Sequence, residues 1–456
     1  MASNSSTADD LQDSSDVLAR LYDGLHLKCL LQHPSFNHDH AQAVVAQTSD
    51  HSRTARSVRQ RFLDELCYLC QFRPAGDSIV SIAAERQNRR VILRVSTNER
   101  AVQPVILHLC ALQRLLEPLC SSDPAQNEKL RDNTLTRIFK ASVIQSTTRV
   151  QNYHRQLINA IRDMREQYGT LRAPARPSGM NAQDWRTLDS MSCIDLNDGN
   201  TRKRNCIDLC VLAHEIRKSD IWNHLDPSGS GPCRARERVR HYIGRLDSWR
   251  RAARYVINTA AGPSSPQAPL ITAAVSATPS QPTLRGQDAI DVDPDIDGLV
   301  LTVCPRYRSD EIRPAVVKKL NNAKSLHKRF VDVRQIPIVH AEAAMAYYFW
   351  ANSKTFADGE LAIGCSKPSC FCCDMYLRIL FDGRLLRPTH GNAWFAWYPP
   401  SSPVAGYKRH DARTVDIVNR MGSEIQSNVE KCIDKGIFGR DRMHDSTTGT
   451  TGTSDS

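Results

Sequence analysis

The chain has 456 residues, a formal net charge of +11 and 15 cysteines, a length sufficient for two or three domains with a substantial core. Its hydrophobic fraction of 41% and charged fraction of 24% are ordinary for a soluble protein, and no apolar run approaches the roughly 18 residues of a membrane span. From the polar, acidic start we expect no signal peptide, and the cysteines lack the spacing of a disulfide framework. We therefore expect a cytoplasmic or nuclear protein that is not secreted.

The positive charge is concentrated in two stretches of the chain. Residues 202–254 contain 13 Lys or Arg against 6 Asp or Glu, and residues 306–334 contain 9 against 3. Such stretches are typical of a surface that binds the phosphates of a nucleic acid. An ordinary solvated helix face would give the same counts, so charge alone leaves both interpretations open.

The N-terminal residues 1–55 predict a disordered start followed by a short helix. Residues 1–15 are rich in Ser, Asp and Asn, a composition that buries too little apolar surface to fold. Leucines then recur on one face over residues 17–31, which indicates an amphipathic helix.

Residues 56–100 predict a helix and a β-hairpin. The helix is expected over residues 62–72, before Pro74. Two apolar, β-rich runs follow over residues 78–84 and 91–96, separated by polar residues. This alternation of runs and polar breaks is typical of two antiparallel strands.

Residues 101–260 have the apolar periodicity of a helical region with about five helices. The helix that begins near Arg234 has Trp249 on its apolar face, and we expect most of its arginines to face outward. This helix is the best candidate for a surface that faces a nucleic acid. Three potential metal ligands recur at helical spacing, but their apolar neighbours favour ordinary core packing for all of them: Cys206, Cys210 and His214.

The remaining segments flank the stretch with the clearest chemistry. Residues 261–297 are rich in Pro, Ser and Ala and predict a flexible linker. A strand is expected over 299–304 and a basic helix over 311–330. Residues 403–456 predict a C-terminal helix followed by a disordered tail.

A His-x-Glu sequence, His340-Ala341-Glu342, lies at a predicted helix start. Residues i and i+2 of a helix point about 200° apart, so His340 and Glu342 can serve one site only where a helix begins. Pro337 lacks an amide hydrogen and suits an extended lead-in. This places His340 at the helix cap and Glu342 in the first turn.

A pair of cysteines further along the chain would complete a zinc site. Ser369 is a favourable N-cap residue, so we expect Cys370 and Cys373 on the first turn of a second helix, where the dipole favours thiolate. With His340 they would leave a tetrahedral zinc one open position for water, as in a catalytic site. Glu342 is then the carboxylate that carries the water's proton. Two further thiols are expected to be packed and not to be ligands: Cys365 and Cys372.

These residues resemble the signature of the cytidine-deaminase-like superfamily of zinc nucleoside and nucleic-acid deaminases. That signature is His-x-Glu followed by Pro-Cys-x-x-Cys. More narrowly, residues 364–373, His390-Gly391 and the aromatic residues 394–398 are similar to a deaminase family expanded in fungi. The similarity covers residues 340–399. One departure is that Ser369 separates the proline from the first cysteine, which weakens any transfer of substrate preference.

The resemblance implies a set of roles and a fold. Within it the metal ligands are His340, Cys370 and Cys373, and Glu342 is the proton shuttle. His390 and Trp394 would help to wall a base pocket. The implied fold class is α/β, a three-layer cytidine-deaminase-like domain over residues 298–402 with a large helical insertion or appended helical domain.

Such a fold opens with a helix and two antiparallel strands. The predicted helix and hairpin of residues 56–100 are therefore expected to be the opening part of the deaminase sheet, with the helical region inserted after them. An independent small α+β element is the alternative.

The function implied is zinc-dependent hydrolytic deamination of a nucleobase in a nucleic acid or nucleotide, with cytosine slightly preferred to adenine. An alternative from another class is a catalytically inactive, zinc-stabilised binding module that recruits nucleic acid or protein. A structural zinc site has no need of a carboxylate beside it, so Glu342 favours the enzyme. A third alternative is an enzyme for small nucleotides, for which the basic stretches would be irrelevant.

Overall fold

The computed structural model describes residues 8–32, 57–73, 78–98, 102–121, 128–170, 180–225, 233–262, 264–279, 290, 295–309, 312–321, 336–385, 387–400 and 411–435. The end of the predicted basic helix and the predicted C-terminal tail lie outside these residues.

A five-stranded sheet is built around the predicted hairpin, which the structure confirms. Strands β1 (Val80–Gln87) and β2 (Arg90–Thr97) pair antiparallel, and Asn88 in the turn between them has a φ of 55°. Strand β3 (Ala274–Ala277) pairs parallel with β2. The other edge of β1 pairs antiparallel with two short strands, β4 (Thr355–Phe356) and β5 (Ile363–Cys365).

The two faces of β1 pack into two different hydrophobic clusters. Ile82 belongs to the cluster formed with the helical region. Its neighbour Ala83, whose side chain points to the opposite face, belongs to the cluster around the helices that follow residue 336. The sheet therefore lies between the helical region and the segment that carries His340.

The helices of the described residues fall into two groups by their position in the chain. The helices that precede the sheet or belong to the helical region are α1 (Ala8–Leu31), α2 (Val58–Cys70), α3 (Gln103–Cys120), α4 (Glu128–Gln145), α5 (Thr147–Thr170), α6 (Ala182–Ser192), α7 (Arg202–Lys218), α8 (Asp220–His224), α9 (Cys233–Ala260) and α10 (Ala268–Ile271). The later ones are α11 (Ile296–Val303), α12 (Ile312–Leu320), α13 (Ala341–Ala351), α14 (Phe371–Leu380) and α15 (Ala412–Asp434).

The prediction that most arginines of α9 face outward is wrong. This helix is at the centre of the helical region, where it packs against α2, α4, α5 and α7. Arg236 and Arg245 are buried and Arg238 is half-buried, whereas Arg254 is exposed. Arg251 forms an ion pair with the fully buried Asp247. The arginines are internal because α9 has partners on several sides, which the period of a single helix does not reveal.

Three further predictions from the sequence are corrected. The helix expected from residue 17 begins at Ala8, so part of the predicted disordered start is helical. Residues 299–303 of the predicted strand are instead part of α11, because the carboxylate of Asp295 accepts from the backbone N–H groups of Asp297 and Gly298 and starts a helix. The predicted linker contains α10 and β3, because pairing with β2 gives this short segment its hydrogen bonds.

Candidate metal centre and active site

His340 is the N-cap residue of α13, as its spacing from Pro337 predicted. It has φ −75° and ψ 144°, and the helix begins at Ala341. The extended lead-in pairs with the chain near Trp397, because Ile338 N donates to Ala396 O at 2.7 Å and Tyr398 N donates to Ile338 O at 3.0 Å. The imidazole makes no capping bond to its own helix, so it is available to other groups.

A side chain from the hairpin performs the capping that His340 does not. Asn98, directly after β2, accepts a hydrogen bond from Ala341 N at 2.7 Å. This contact joins β2 to the first turn of α13, where an unsatisfied N–H group would otherwise remain. No local sequence pattern indicates this contact, since 243 residues separate the two positions.

The second helix start differs by one residue from the prediction. Cys370, not Ser369, is the N-cap of α14, and its Sγ accepts from Cys373 N at 3.4 Å. The Ser369 hydroxyl is used elsewhere, as the acceptor of a 3.2 Å hydrogen bond from Arg387 Nε. The sulfur of Cys370 therefore lies at the positive end of the helix dipole.

Three donor atoms converge where these two helices begin. The Nδ1 atom of His340 lies 3.5 Å from Cys370 Sγ and 3.3 Å from Cys373 Sγ. The three atoms all lie within 4.8 Å of one another, and among the described residues this is the group of His, Cys, Asp or Glu side chains with such a geometry. The arrangement could hold a metal ion.

The two thiols of this group differ in protonation: burial and the hydrogen bond with Cys370 raise the pKa of the Cys373 thiol well above its ordinary value. Burial would raise the pKa of the Cys370 thiol, but hydrogen bonds from Cys372 and Cys373 and the charge of His340 hold that pKa well below its ordinary value. A thiolate is therefore favoured at Cys370, and thiolate is the form that binds metals. The indole Nε1 of the buried Trp397 donates to Cys373 Sγ at 3.3 Å, which orients the second sulfur.

Glu342 is buried in the first turn of α13, next to the donor group. Its Oε2 accepts a hydrogen bond from Cys365 Sγ at 3.7 Å. Burial, and then the charge of Glu342, raise the pKa of the Cys365 thiol well above its ordinary value, so Cys365 remains a protonated donor. Cys365 was expected to be a packed thiol, and it is buried, but it also contacts this carboxylate.

A buried arginine holds the loop between β5 and Cys370. Arg387 Nε donates to Ser369 Oγ, and its other nitrogens donate to Ile363 O and to Lys367 O. It also forms a 3.1 Å ion pair with Asp64 in α2. Sequence reasoning missed this residue, because its partners belong to distant segments of the chain.

The proposed pocket residues lie in the segment that follows Arg387. His390 is buried; its backbone N donates to Ser369 O at 3.1 Å, and its Nδ1 accepts from Asn392 N at 3.1 Å. Trp394 is 39% exposed and accepts, through its carbonyl, from Trp397 N. Trp397 is the tryptophan whose indole reaches a donor of the metal group.

Cysteines of α2 and of α7 pack in the core. Cys67 and Cys70 in α2 and Cys206 and Cys210 in α7 are fully buried. His214 Nδ1 lies 2.8 Å from Asp247 Oδ1, which accounts for this imidazole without a metal. Cys372 is likewise buried outside the donor group.

Comparison with known proteins agrees with this site. Residues 339–401 match the model of the OTT_1508_deam-like deaminase family, so this segment is a deaminase-like domain of the cytidine-deaminase-like type. The match includes His340, Glu342, Cys370 and Cys373. No curated protein and no solved structure matches the chain. In the described part of the chain, no helix combines the length and the hydropathy needed to span a bilayer.

Proposed function

We propose that the chain is a zinc-dependent hydrolytic deaminase that acts on a nucleobase, cytosine or adenine, in a nucleic acid or nucleotide. One observation carries the proposal. The imidazole of His340 and the sulfurs of Cys370 and Cys373 converge at two helix starts, and the buried carboxylate of Glu342 lies in the first turn of α13, two residues after His340.

The donor set suits zinc. Two sulfurs and one imidazole nitrogen are ligands that zinc prefers, and three protein ligands leave a fourth position open in tetrahedral geometry. Zinc held by His340, Cys370 and Cys373 would lower the pKa of a water at that position to about 7. Trp397 keeps Cys373 Sγ oriented through its indole N–H.

The chain's own residues supply the proton transfer and the pocket. Glu342 is not in the donor group, so its carboxylate is available to take a proton from the attacking water and give it to the leaving amine. The Cys365 thiol fixes the orientation of that carboxylate. His390 and Trp394 form the wall against which the base lies, where an aromatic face favours stacking.

The domain that performs this reaction includes the hairpin. Ser81 and Ala83 of β1 pair with Cys365 and Ile363 of β5, and Asn98 caps α13. These contacts support a catalytic domain made from residues 56–100 and 298–402, with the helical region 101–260 inserted between its parts. A binding module would need the fold and the metal but not Glu342.

Replacing Glu342 tests the function. Glu342→Gln should keep the fold and the metal but lower turnover by at least about 10² to 10⁴, because it removes general acid–base catalysis. Cys373→Ala should lose both the metal and the activity, and Cys67→Ala, which removes a buried thiol outside the site, should keep both. The measurements are zinc content by elemental analysis and C-to-U or A-to-I conversion in free nucleosides, nucleotides, RNA and DNA. Full activity in Glu342→Gln would disprove the proposed role.

A further inference from the structure

Two buried arginines lie together in the helical region with no carboxylate beside them. Arg149 in α5 is fully buried, and Arg245 in α9 is 6% exposed. Their guanidinium carbons lie 5.5 Å and 4.9 Å from the centroid of the Tyr153 ring. Within the described residues, neither arginine forms an ion pair with an Asp or Glu. Two positive charges are therefore held out of water, which is costly unless an anion compensates them.

Several hydrogen-bond donors of this cluster also lack acceptors. Arg245 Nε and Nη1, Arg149 Nη2 and Trp249 Nε1 are all buried without a hydrogen-bond partner. The Trp249 ring lies 5.1 Å from the Arg149 guanidinium carbon and 6.1 Å from the Tyr153 ring, so the four donors belong to one cluster. Each buried donor without an acceptor costs free energy, and a single group with several acceptor oxygens would satisfy them together.

Other arginines in α9 or packed against it are neutralised by carboxylates. Arg251 and Arg217 both lie within ion-pair distance of Asp247 Oδ2, and Arg238 is paired with Asp163. Arg149 and Arg245 differ from Arg217, Arg238 and Arg251 because no acidic side chain of the described residues lies within ion-pair distance of either of them.

We propose that Arg149 and Arg245, together with the indole N–H of Trp249, form a binding site for a phosphate group. A phosphate carries a charge of about −1.5 to −2 near neutral pH and three acceptor oxygens, which matches two guanidinium groups and their free N–H donors. Arginine's planar fork is suited to phosphate oxygens. The remaining Arg149 nitrogens hold the site in place, because Nε donates to Tyr153 Oη at 2.9 Å and Nη1 donates to Gln71 O at 3.1 Å.

The phosphate site lies close to the candidate active site. Helix α2 contacts both, since Asp64 accepts from Cys365 N, and Tyr68, one turn later, donates through its hydroxyl to Arg245 O. Burial would raise the pKa of the Tyr153 phenol, but Arg149 and Arg245, and more weakly Lys367, lower it overall. The charge of Lys367, in the loop before Cys370, therefore reaches this cluster.

A phosphate there has two possible sources with the same chemistry. It belongs either to a substrate whose base lies at the metal centre or to a separate phosphorylated molecule held in the fold. Assigning it to a substrate rests on the proposed function, whereas the site itself does not.

The test measures phosphate directly in the full-length protein. Wild type is purified in phosphate-free buffer, its retained phosphate is quantified by ion chromatography after denaturation, and binding of inorganic phosphate to the stripped protein is measured by calorimetry. We expect phosphate to be retained or bound, and Arg245→Met to weaken binding by about 10- to 100-fold, the usual effect of losing hydrogen bonds to a charged group. Arg245→Lys should weaken it less, and Arg254→Met, which removes an exposed arginine of the same helix, should leave it unchanged.

Competition identifies the source. Displacement of phosphate by cytidine or adenosine monophosphate, but not by the nucleosides, assigns the site to a substrate; retained phosphate that the nucleotides do not displace assigns it to a separate molecule. If the wild type neither retains nor binds phosphate, the cluster holds only water and the proposal is overturned. Phosphate binding by Arg245→Met that equals that of the wild type would also overturn it. If Arg245→Met does not fold, phosphate retention and binding in the wild type still decide whether the site exists. Glu342→Gln removes the proposed reaction but not the phosphate site. Measuring phosphate binding in this variant therefore tests the phosphate site separately from the proposed reaction.

Discussion

The carboxylate of Asp64 accepts a hydrogen bond from the backbone N of Cys365 at 2.8 Å, across 301 residues of sequence. Asp64 lies in α2, before the hairpin, and Cys365 is the last residue of β5, where its thiol contacts Glu342. Gln60, one turn earlier in α2, donates to Ile363 O and accepts from Ile363 N. Helix α2 thus supplies the hydrogen bonds that another strand would give to β5.

Removing the buried partner of Asp64 should damage the metal centre. Arg387→Met leaves the Asp64 carboxylate without its guanidinium and frees the loop that ends at Ser369. Loss of one partner of a buried ion pair costs about 3–5 kcal/mol, so we expect a less stable protein with a lower zinc content. Urea denaturation and elemental analysis measure the two effects.

A matched control is Arg384→Met. Arg384 is exposed three residues earlier in the same segment, so this variant should keep the stability and the zinc of the wild type. Equal stability and zinc content in the two variants would show that Arg387 does not hold the loop.

Gly364 is expected to tolerate no side chain. A Cβ at this position would lie 2.5 Å from both the carbonyl carbon and the Cβ of Leu63 in α2. Backbone atoms of a helix do not move aside easily, so Gly364→Ala should separate β5 from α2 and destabilise the protein by at least about 1–3 kcal/mol. Thermal and urea unfolding should reveal the change.

Gly199→Ala provides the comparison. A Cβ at Gly199 meets no atom within 4 Å, so its effect on unfolding should be small. Equal stability of the two alanine variants would show that β5 does not approach α2 as closely as the structure has it.

The local features of the site were predictable from the sequence because each depends on neighbouring residues. Pro337 and the spacing of His340 and Glu342 are sufficient to locate the start of α13. The two apolar runs on either side of a polar turn are sufficient to predict the hairpin. Helix α14 begins one residue later than predicted, because the hydroxyl of Ser369 accepts a hydrogen bond from the distant Arg387 and does not cap the helix.

The features that were missed depend on contacts between distant segments. A strand and a helix are equally compatible with the apolar run Leu299-Val300-Leu301. The segment is helical because Asp295 caps the helix N-terminus. The sequence of α9 predicts a row of arginines that faces solvent. In the structure the neighbouring helices pack around α9, and one of them provides Asp163 as a partner for Arg238. No local sequence pattern predicts the contact of Asp64 with Cys365.

A fragment that begins at Gly298 tests the division of the chain into domains. It lacks α2, β1 and β2, so β5 loses both the ladder to β1 and the side chains of Gln60 and Asp64. An unpaired edge strand promotes aggregation, and α13 loses its cap from Asn98. We expect the fragment 298–456 to be insoluble or poor in zinc. A soluble, zinc-loaded fragment would show instead that the catalytic domain is continuous.

The buried His108 should make the stability of the helical region depend on pH. His108 lies in α3 with its Nε2 3.2 Å from Ser142 Oγ. Burial lowers its pKa from 6.5 to about 4, although the backbone hydrogen bond with Leu69 acts in the opposite direction. The unfolded chain therefore binds more protons than the folded chain between these two values, and the stability that His108 contributes is lost as the pH falls from about 6.5 toward about 4. Between pH 7 and pH 5 this loss is about 2 kcal/mol.

His108→Gln keeps a polar side chain that does not titrate. The free energy of unfolding in urea should fall by about 2 kcal/mol less between pH 7 and pH 5 in this variant than in wild type. Burial also lowers the pKa of His154, so the wild type has more than one source of acid sensitivity, and only the difference between the two proteins belongs to His108. Parallel pH profiles for wild type and His108→Gln would mean that His108 is hydrated in the folded protein and titrates as it does in the unfolded chain.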